Sequence, residues 1–279
     1  MLNTGFVAVE AGYGIASGSM ALVADAGHNL SDVLGLLMAW SASVLATRPP
    51  TTRFTYGYKS SSILAALANA ALLMAAIGAI LVETIHRFFA PQPVAGGTVM
   101  AVAAVGIVIN TITALMFMRG RKHDLNIRGA FLHMAGDAAV SAAVVIAGLL
   151  IMRTGAEWID PATSLVILAV IGWSTWGLLI SALKLGLLGV PDGIDHDAVR
   201  GFLMNQSGVS KVHDLHIWPM STTETAMTAH LVMPGGYPGD AFLHGLTHEL
   251  AHDFGIGHAT LQVETGEGAE CALESEAVV

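Results

Sequence analysis

The segment ALVADAGHNLSDVLGLLMAW, residues 21–40, carries His28 and Asp32 inside an otherwise apolar run. About 20 apolar residues in helical form cross the hydrocarbon of a bilayer. Ionisable side chains are expensive there, so each one within such a run marks a candidate functional position. Outward from this stretch, apolar runs recur, and six spans are predicted at 2–18, 22–46, 61–86, 97–118, 130–152 and 162–186. No Lys or Arg precedes the first run, so it reads as a short span rather than a signal peptide. Composition agrees. Of 279 residues, 54% are hydrophobic and 12% charged, with a mean hydropathy of +0.64, whereas soluble domains carry about 25% charged residues. The chain is therefore expected to be a polytopic α-helical membrane protein in a lipid bilayer. A nucleic-acid binder and a small disulfide scaffold are excluded. The single Cys271 makes no internal disulfide or thiolate cluster, so metal chemistry is expected from His, Asp and Glu.

Charge divides the chain. Residues 1–189 have a net charge of +2 and residues 190–279 a net charge of −11, and eight of the twelve histidines fall in the second part. The break falls at the turn-forming Pro191-Asp192-Gly193. The expected domains are a six-helix part over 1–189, a compact α+β unit over 190–265, and an acidic, disordered tail over 266–279. The tail unit reads α-β-β-α-β: helix 195–207, strands 211–218 and 225–233, helix 240–254 and strand 258–264. Loop charges set the orientation. Arg48, Arg53 and Lys59 flank the 2–3 loop, Arg119, Arg121, Lys122 and Arg128 the 4–5 loop, and Lys184 the end of the sixth span; the other side has only Arg87 and Arg153. Positive charge marks the cytoplasmic face, so both termini and the acidic unit are expected in the cytosol.

The second span holds His28 and Asp32, and the fifth holds His133 and Asp137, both as H-x-x-x-D. Four-residue spacing puts each pair on one helix face, a turn apart. Two such helices facing each other converge two imidazoles and two carboxylates, the four-coordinate nitrogen and oxygen set that Zn²⁺ takes. Other intramembrane polar residues weigh less. Asn69 and Asn110 read as helix–helix hydrogen-bond partners, Glu83 and His86 as a solvated span end, and Glu10 as a candidate for a water-filled path.

The segments SGSMALVADAGHNLSDVLGLLMAW (17–40), YGYKSSSILAALANA (56–70), NIRGAFLHMAGDAAVS (126–141), VHDLHIW (212–218) and FGIGHATLQVE (254–264) resemble, in order, those of the cation diffusion facilitators, and within them the zinc-transporting group. The resemblance covers nearly the whole chain to Glu264. It implies six spans, a cytosolic ferredoxin-like, metallochaperone-like domain, and a homodimer in the cell membrane. It further implies a secondary transporter, not an enzyme, that exports zinc, with cadmium as an alternative, against inward proton flow by alternating access. The transport-site residues carry over onto His28, Asp32, His133 and Asp137. Zn²⁺ is then substrate and regulatory ligand, with no organic cofactor.

The chain departs from that pattern in places. Ser60 and Ser62 stand where relatives often have Arg and Glu, residues 47–55 hold no Asp or His for a loop metal site, and a tail His ligand is replaced by Gln262. Tail metal binding would rest on His213 and His230 with Glu264. One motif competes: residues 248–258, HELAHDFGIGH, match the H-E-x-x-H-x-x-G-x-x-H signature of zinc peptidases. No Met follows Met233 to supply the downstream Met-turn of those enzymes, and the segment already serves as helix end and final strand of the tail unit. The alternative reading is a membrane-anchored zinc metallopeptidase using His248, Glu249, His252 and His258.

Overall fold

The computed structural model describes residues 2–118, 125–266, 271 and 273, with side chains at 5–116, 118, 131–266, 271 and 273. Arg119, Arg121 and Lys122, and most of the segment read as an acidic tail, lie outside the described residues. Six long helices come first: α1 (Leu2–Ser17), α2 (Met20–Ala46), α3 (Ser61–Phe89), α4 (Gly96–Phe117), α5 (Leu125–Thr154) and α6 (Ile159–Gly186). They start and stop within five residues of the predicted spans. The five from α2 to α6 are long and apolar enough to cross a membrane. The 16-residue α1 is about 24 Å long at 1.5 Å per residue, short of a roughly 30 Å hydrocarbon core. Large apolar side chains cover the outside of the helices, as at Trp173 (85% exposed) and Ile15 (76%). So much exposed apolar surface suits lipid rather than water. The chain is a multi-pass membrane protein.

Two compact units divide the chain: Met1–Met38 with Ala68–Leu179, and Ala39–Leu67 with Ile180–Val279. In the first, one core draws on every long helix, including Phe6, Leu22, Ile77, Val99, Val144 and Ile171. Helices α4 and α5 pack extensively, and glycine sets their separation. A Cβ on Gly96 would sit 2.9 Å from the Gly148 carbonyl oxygen, and one on Gly148 3.0 Å from that of Gly96. With no water between helices to expel, such small-residue contacts are how membrane helices gain packing energy.

A polar clamp closes one end of this unit. Gly18 takes φ +70° in the α1–α2 turn. Ser19 then caps α2, its Oγ accepting from Leu22 N at 3.1 Å. Buried Asp160, at the start of α6, accepts from the Ser19 hydroxyl and from Met20 N at 2.6 Å. Arg87 of α3 donates to the Gly18 carbonyl at 2.7 Å and to Glu83 at 2.8 Å.

In the second unit, helix α7 (His196–Met204), strands β1 (Lys211–Pro219) and β2 (Thr225–Val232), helix α8 (Asp240–Phe254) and strand β3 (His258–Glu264) follow the α-β-β-α-β order read from the sequence. The sheet runs β1-β2-β3, with β1 antiparallel and β3 parallel to β2. Val212, Ile217, Met227, Ala229 and Leu231 pack with Leu203, Leu246 and Leu250 of the helices, while His213, His230 and Gln262 share a register row. Between His213 and His216 the β1 register shifts, and Asp214 takes φ +49°. Such a bulge re-aims a side chain. The connection from α2 to α3 belongs to this unit too. Lys59 pairs with Glu224, the Ser60 hydroxyl donates to the Met220 carbonyl at 3.2 Å, and Ser62 Oγ accepts from Thr222 N at 3.1 Å.

Removing the Asp160 carboxylate leaves the Ser19 hydroxyl and the Met20 amide without their buried acceptor, at a cost of about 1–3 kcal/mol. Asp160→Ala is therefore expected to lower the thermal midpoint of the detergent-solubilised protein, and Asp160→Asn, which keeps one acceptor oxygen, to lower it less. Equal midpoints for wild type and Asp160→Ala would show that the clamp contributes nothing.

Candidate metal centres

His28 and Asp32 lie one turn apart on α2, and His133 and Asp137 one turn apart on α5. Their side chains meet across the two helices. His28 Nε2 is 3.4 Å from Asp137 Oδ1 and 3.7 Å from Asp32 Oδ2; His133 Nε2 is 3.2 Å from Asp32 Oδ2 and 3.8 Å from Asp137 Oδ2. The two imidazole rings stand edge to face, with centroids 5.8 Å apart. A tetrahedral Zn²⁺ with bonds of 2.0–2.1 Å holds its ligand atoms about 3.3 Å from one another. These four imidazole–carboxylate distances bracket that value, while Asp32 stays outside the set whose ligand atoms all lie within 4.8 Å of one another. Of the four, His28, His133 and Asp137 also form a group with mutually close ligand atoms.

The environment is graded. Asp137 has 4% of its side chain exposed and His133 44%. A cavity of about 760 Å³ opens beside them, lined by Asn29, Asp32, Asn69, Asn110, His133 and Asp137 among others. Among the described residues, every buried side-chain nitrogen or oxygen that lacks a hydrogen-bond partner lies in this part of the fold: Glu10 Oε1, Asp25 Oδ1, His28 Nδ1, Asn110 Nδ2 and Asp137 Oδ2. Buried polar groups are almost always satisfied, and this concentration of exceptions suits an interior that receives ions. Asp25 was not singled out in the sequence, although its position three residues before His28 on the same helix was a usable signal. Glu83 pairs with Arg87, in keeping with a solvated span end.

The second cluster lies on the sheet. Glu264 bridges two histidines, with Oε2 3.0 Å from His213 Nε2 and Oε1 2.9 Å from His230 Nδ1. The His213 and His230 rings are 5.0 Å apart and edge to face. The bulge aims Asp214 between His216 Nε2 at 2.9 Å and His230 Nε2 at 3.3 Å. Burial raises the Glu264 carboxyl, but hydrogen bonds from His213, Cys271 and Gln262 outweigh it, and the net shift is below the usual carboxylate range. Cys271 stands beside the His and Glu donors expected from the sequence. Its Sγ is 3.7 Å from His230 Nδ1, and it completes a group of four potential ligands with His213, His230 and Glu264. A cysteine seven residues beyond the last strand carries no spacing signal.

The histidines of HELAHDFGIGH are not brought together as a zinc centre. His248 and His252 sit on the exposed face of α8 with stacked rings, and His252 turns to Asp253 at 2.6 Å. Gly255 ends the helix in the left-handed region at φ 71°. His258 then opens β3, with its ring against Tyr56. Among the described residues, no metal-ligating group includes any of the three.

Known proteins share this organisation. The family model for the cation efflux transmembrane domain matches residues 1–185, and that for the cation efflux protein cytoplasmic domain matches residues 191–266. The cadmium, cobalt and zinc/H(+)-K(+) antiporter of Bacillus subtilis (strain 168) is 34% identical over 270 residues, covering 95% of this chain and 86% of the relative. Zinc transporter ZitB of Escherichia coli (strain K12) is 36% identical over 276 residues, covering 98% and 88%. The metal cation efflux system protein CzcD of Cupriavidus metallidurans (strain ATCC 43123 / DSM 2839 / NBRC 102507 / CH34) is 35% identical over 260 residues, covering 93% and 82%. With both family models matched in sequence order and relatives aligned along nearly its whole length, the chain belongs to the cation efflux family, as a membrane transporter and not an enzyme.

Proposed function

We propose that this chain exports Zn²⁺, with Cd²⁺ as the next substrate, from the cytosol in exchange for protons, through a site made of His28, Asp32, His133 and Asp137. The observation that carries the reading is the meeting of these four side chains at 3.2–3.8 Å. Relatives named as zinc transporters and as a proton-linked antiporter support it.

The chemistry follows from competition. Metal binds the deprotonated ligands, so binding Zn²⁺ releases protons. Imidazole, with an unperturbed pKa of about 6.5, exchanges a proton for a metal near neutral pH. Facing the cytosol, neutral His28 and His133 and ionised Asp32 and Asp137 take the dication, and the two carboxylates cancel its charge in a low-dielectric interior. Facing a more acidic exterior, protons displace it, and the protonated, metal-free site returns. A site near the middle of the bilayer between helices suits such alternating exposure.

In this reading, residues 1–189 form the transport domain in the cell membrane, and residues 190–265 a cytosolic domain through which two copies pair, with 266–279 as an acidic tail. The excess of Lys and Arg on the 2–3 and 4–5 loops supports cytosolic termini. Zn²⁺ at His213, His230 and Glu264, joined by Cys271, would neutralise part of the −11 charge of residues 190–279 and so favour the pairing of two acidic domains.

Flux of zinc into proteoliposomes under an imposed pH gradient tests the transport site. Loss of outer-shell partners alone costs metal sites about 10–100-fold, so Asp32→Ala and Asp137→Ala, which remove a ligand, are expected to abolish flux while the protein elutes as a folded dimer. Wild-type export by either variant would overturn the site. Selectivity gives a second check. His28→Asp makes the donor set harder and is expected to raise Mn²⁺ flux relative to Zn²⁺; an unchanged metal profile would remove His28 from the coordination shell. Glu249→Gln, which disables the general base a peptidase would need, is expected to transport as wild type.

A further inference from the structure

Two residues beyond β3, Cys271 and Leu273, meet the buried histidines of the sheet. Cys271 Sγ lies 3.7 Å from His230 Nδ1, and the Leu273 carbonyl accepts from His213 Nδ1 at 3.4 Å. The imidazoles they meet are 3% exposed at His213 and 10% at His230. Cys271 is the only cysteine of the chain. With His213, His230 and Glu264 it offers four ligand atoms, all within 4.8 Å of one another.

The two histidines are set up alike. A neutral imidazole has one N–H and one lone pair. His213 turns its N–H outward to the Leu273 carbonyl, so Nε2 points its lone pair at Glu264 Oε2, 3.0 Å away. His230 turns Nε2 to Asp214 Oδ2 at 3.3 Å. Its Nδ1 then faces Glu264 Oε1 at 2.9 Å and the Cys271 sulfur at 3.7 Å. Metal-ligating histidines almost always have such an outward partner, a carbonyl or a carboxylate, that fixes the ring. The β1 bulge that gives Asp214 its φ of +49° supplies that partner to His230. The inward side gathers two nitrogen lone pairs, a carboxylate and a thiol, and a cation among them satisfies all four.

We propose that Cys271, as the thiolate, is the fourth ligand of a closed site with His213, His230 and Glu264 for a thiophilic dication, Zn²⁺ or Cd²⁺. This rests on the reading above of His213, His230 and Glu264 as a zinc site. A tetrahedral zinc, with bonds of about 2.0–2.1 Å to nitrogen and about 2.3 Å to sulfur, holds those two atoms about 3.6 Å apart. Cys271 Sγ and His230 Nδ1 are already 3.7 Å apart. On binding, the S–H bond breaks, the metal–sulfur bond forms and the proton leaves to water, with no change of oxidation state. Carboxylate and thiolate together cancel the charge of the dication. Four protein ligands leave no open position, the mark of a site that keeps its ion. The thiolate also sets the choice of ion, against Mn²⁺ and Mg²⁺. Filling the site ties Cys271 and Leu273 to the sheet.

The sole cysteine makes the test specific. Full-length protein in detergent, titrated with Cd²⁺, is expected to develop a cadmium–thiolate charge-transfer band in the ultraviolet that is lost in His213→Ala/His230→Ala. No band in wild type, or a band unchanged in that double variant, overturns the proposal. Zn²⁺ is expected to slow alkylation of the Cys271 sulfur roughly tenfold or more, and Mn²⁺ at equal concentration to leave it unchanged. Equal rates with and without Zn²⁺, or equal protection by both ions, overturn it. Affinity separates the thiolate from the site beneath it. In an Asp32→Ala background, which removes a transport-site ligand, Cys271→Ser is expected to weaken zinc binding by about 10–100-fold or more. Weakening in His213→Ala but none in Cys271→Ser leaves the three-residue site standing and overturns the fourth ligand. No weakening in either removes the three-residue reading as well.

Discussion

A carboxylate in hydrocarbon has to be neutralised by something, and the first unit is organised around that requirement. Asp160 spends its charge on a hydroxyl and an amide at the start of α2. Asp32 and Asp137 face two imidazoles. Glu10 and Asp25 are fully buried, and Asn29 and the Ser141 hydroxyl donate to them. No Lys or Arg occurs in the first 47 residues.

Much of this was legible in the sequence because its signals are local. Membrane spans announce themselves by length and apolarity, and the H-x-x-x-D spacing aligns each His with its Asp without any knowledge of the fold. The alternation of Ala226, Thr228 and His230 against Met227, Ala229 and Leu231 likewise gave the strand and its buried face. What the sequence hid was built from distant pieces. Ser19 and Asp160 are separated by 141 residues and Asp25 and Ser141 by 116, and neither member of either pair has a spacing that names the other. The bulge at Asp214 was hidden for another reason: Asp is enriched at positive φ but adopts it at few of its positions, yet here it decides which histidines that carboxylate reaches.

The soluble unit makes the complementary point about motifs. HELAHDFGIGH fits a peptidase signature letter by letter, but a signature presumes that the chain after the second histidine folds back beside the helix. Here Gly255 ends the helix and His258 enters a strand paired in register with β2. The backbone hydrogen bonds of β3 hold His258 away from α8, and that geometry outranks the match. Conversely, Cys271 belongs to no motif and joins a cluster only because the chain returns to the sheet.

The glycine contact between α4 and α5 bears on the candidate metal site. With a Cβ added to Gly96 or Gly148 falling within about 3 Å of the other's carbonyl oxygen, these two helices are closely packed. His133 and Asp137 are carried by α5 of that pair, while His28 and Asp32 belong to α2. The shortest approaches, 3.2 and 3.4 Å, are the ones that cross from α2 to α5. A cation held there would bridge α2 and α5 rather than sit within one helix, and without it the Asp32 and Asp137 carboxylates would be left as like charges on the two sides of the seam.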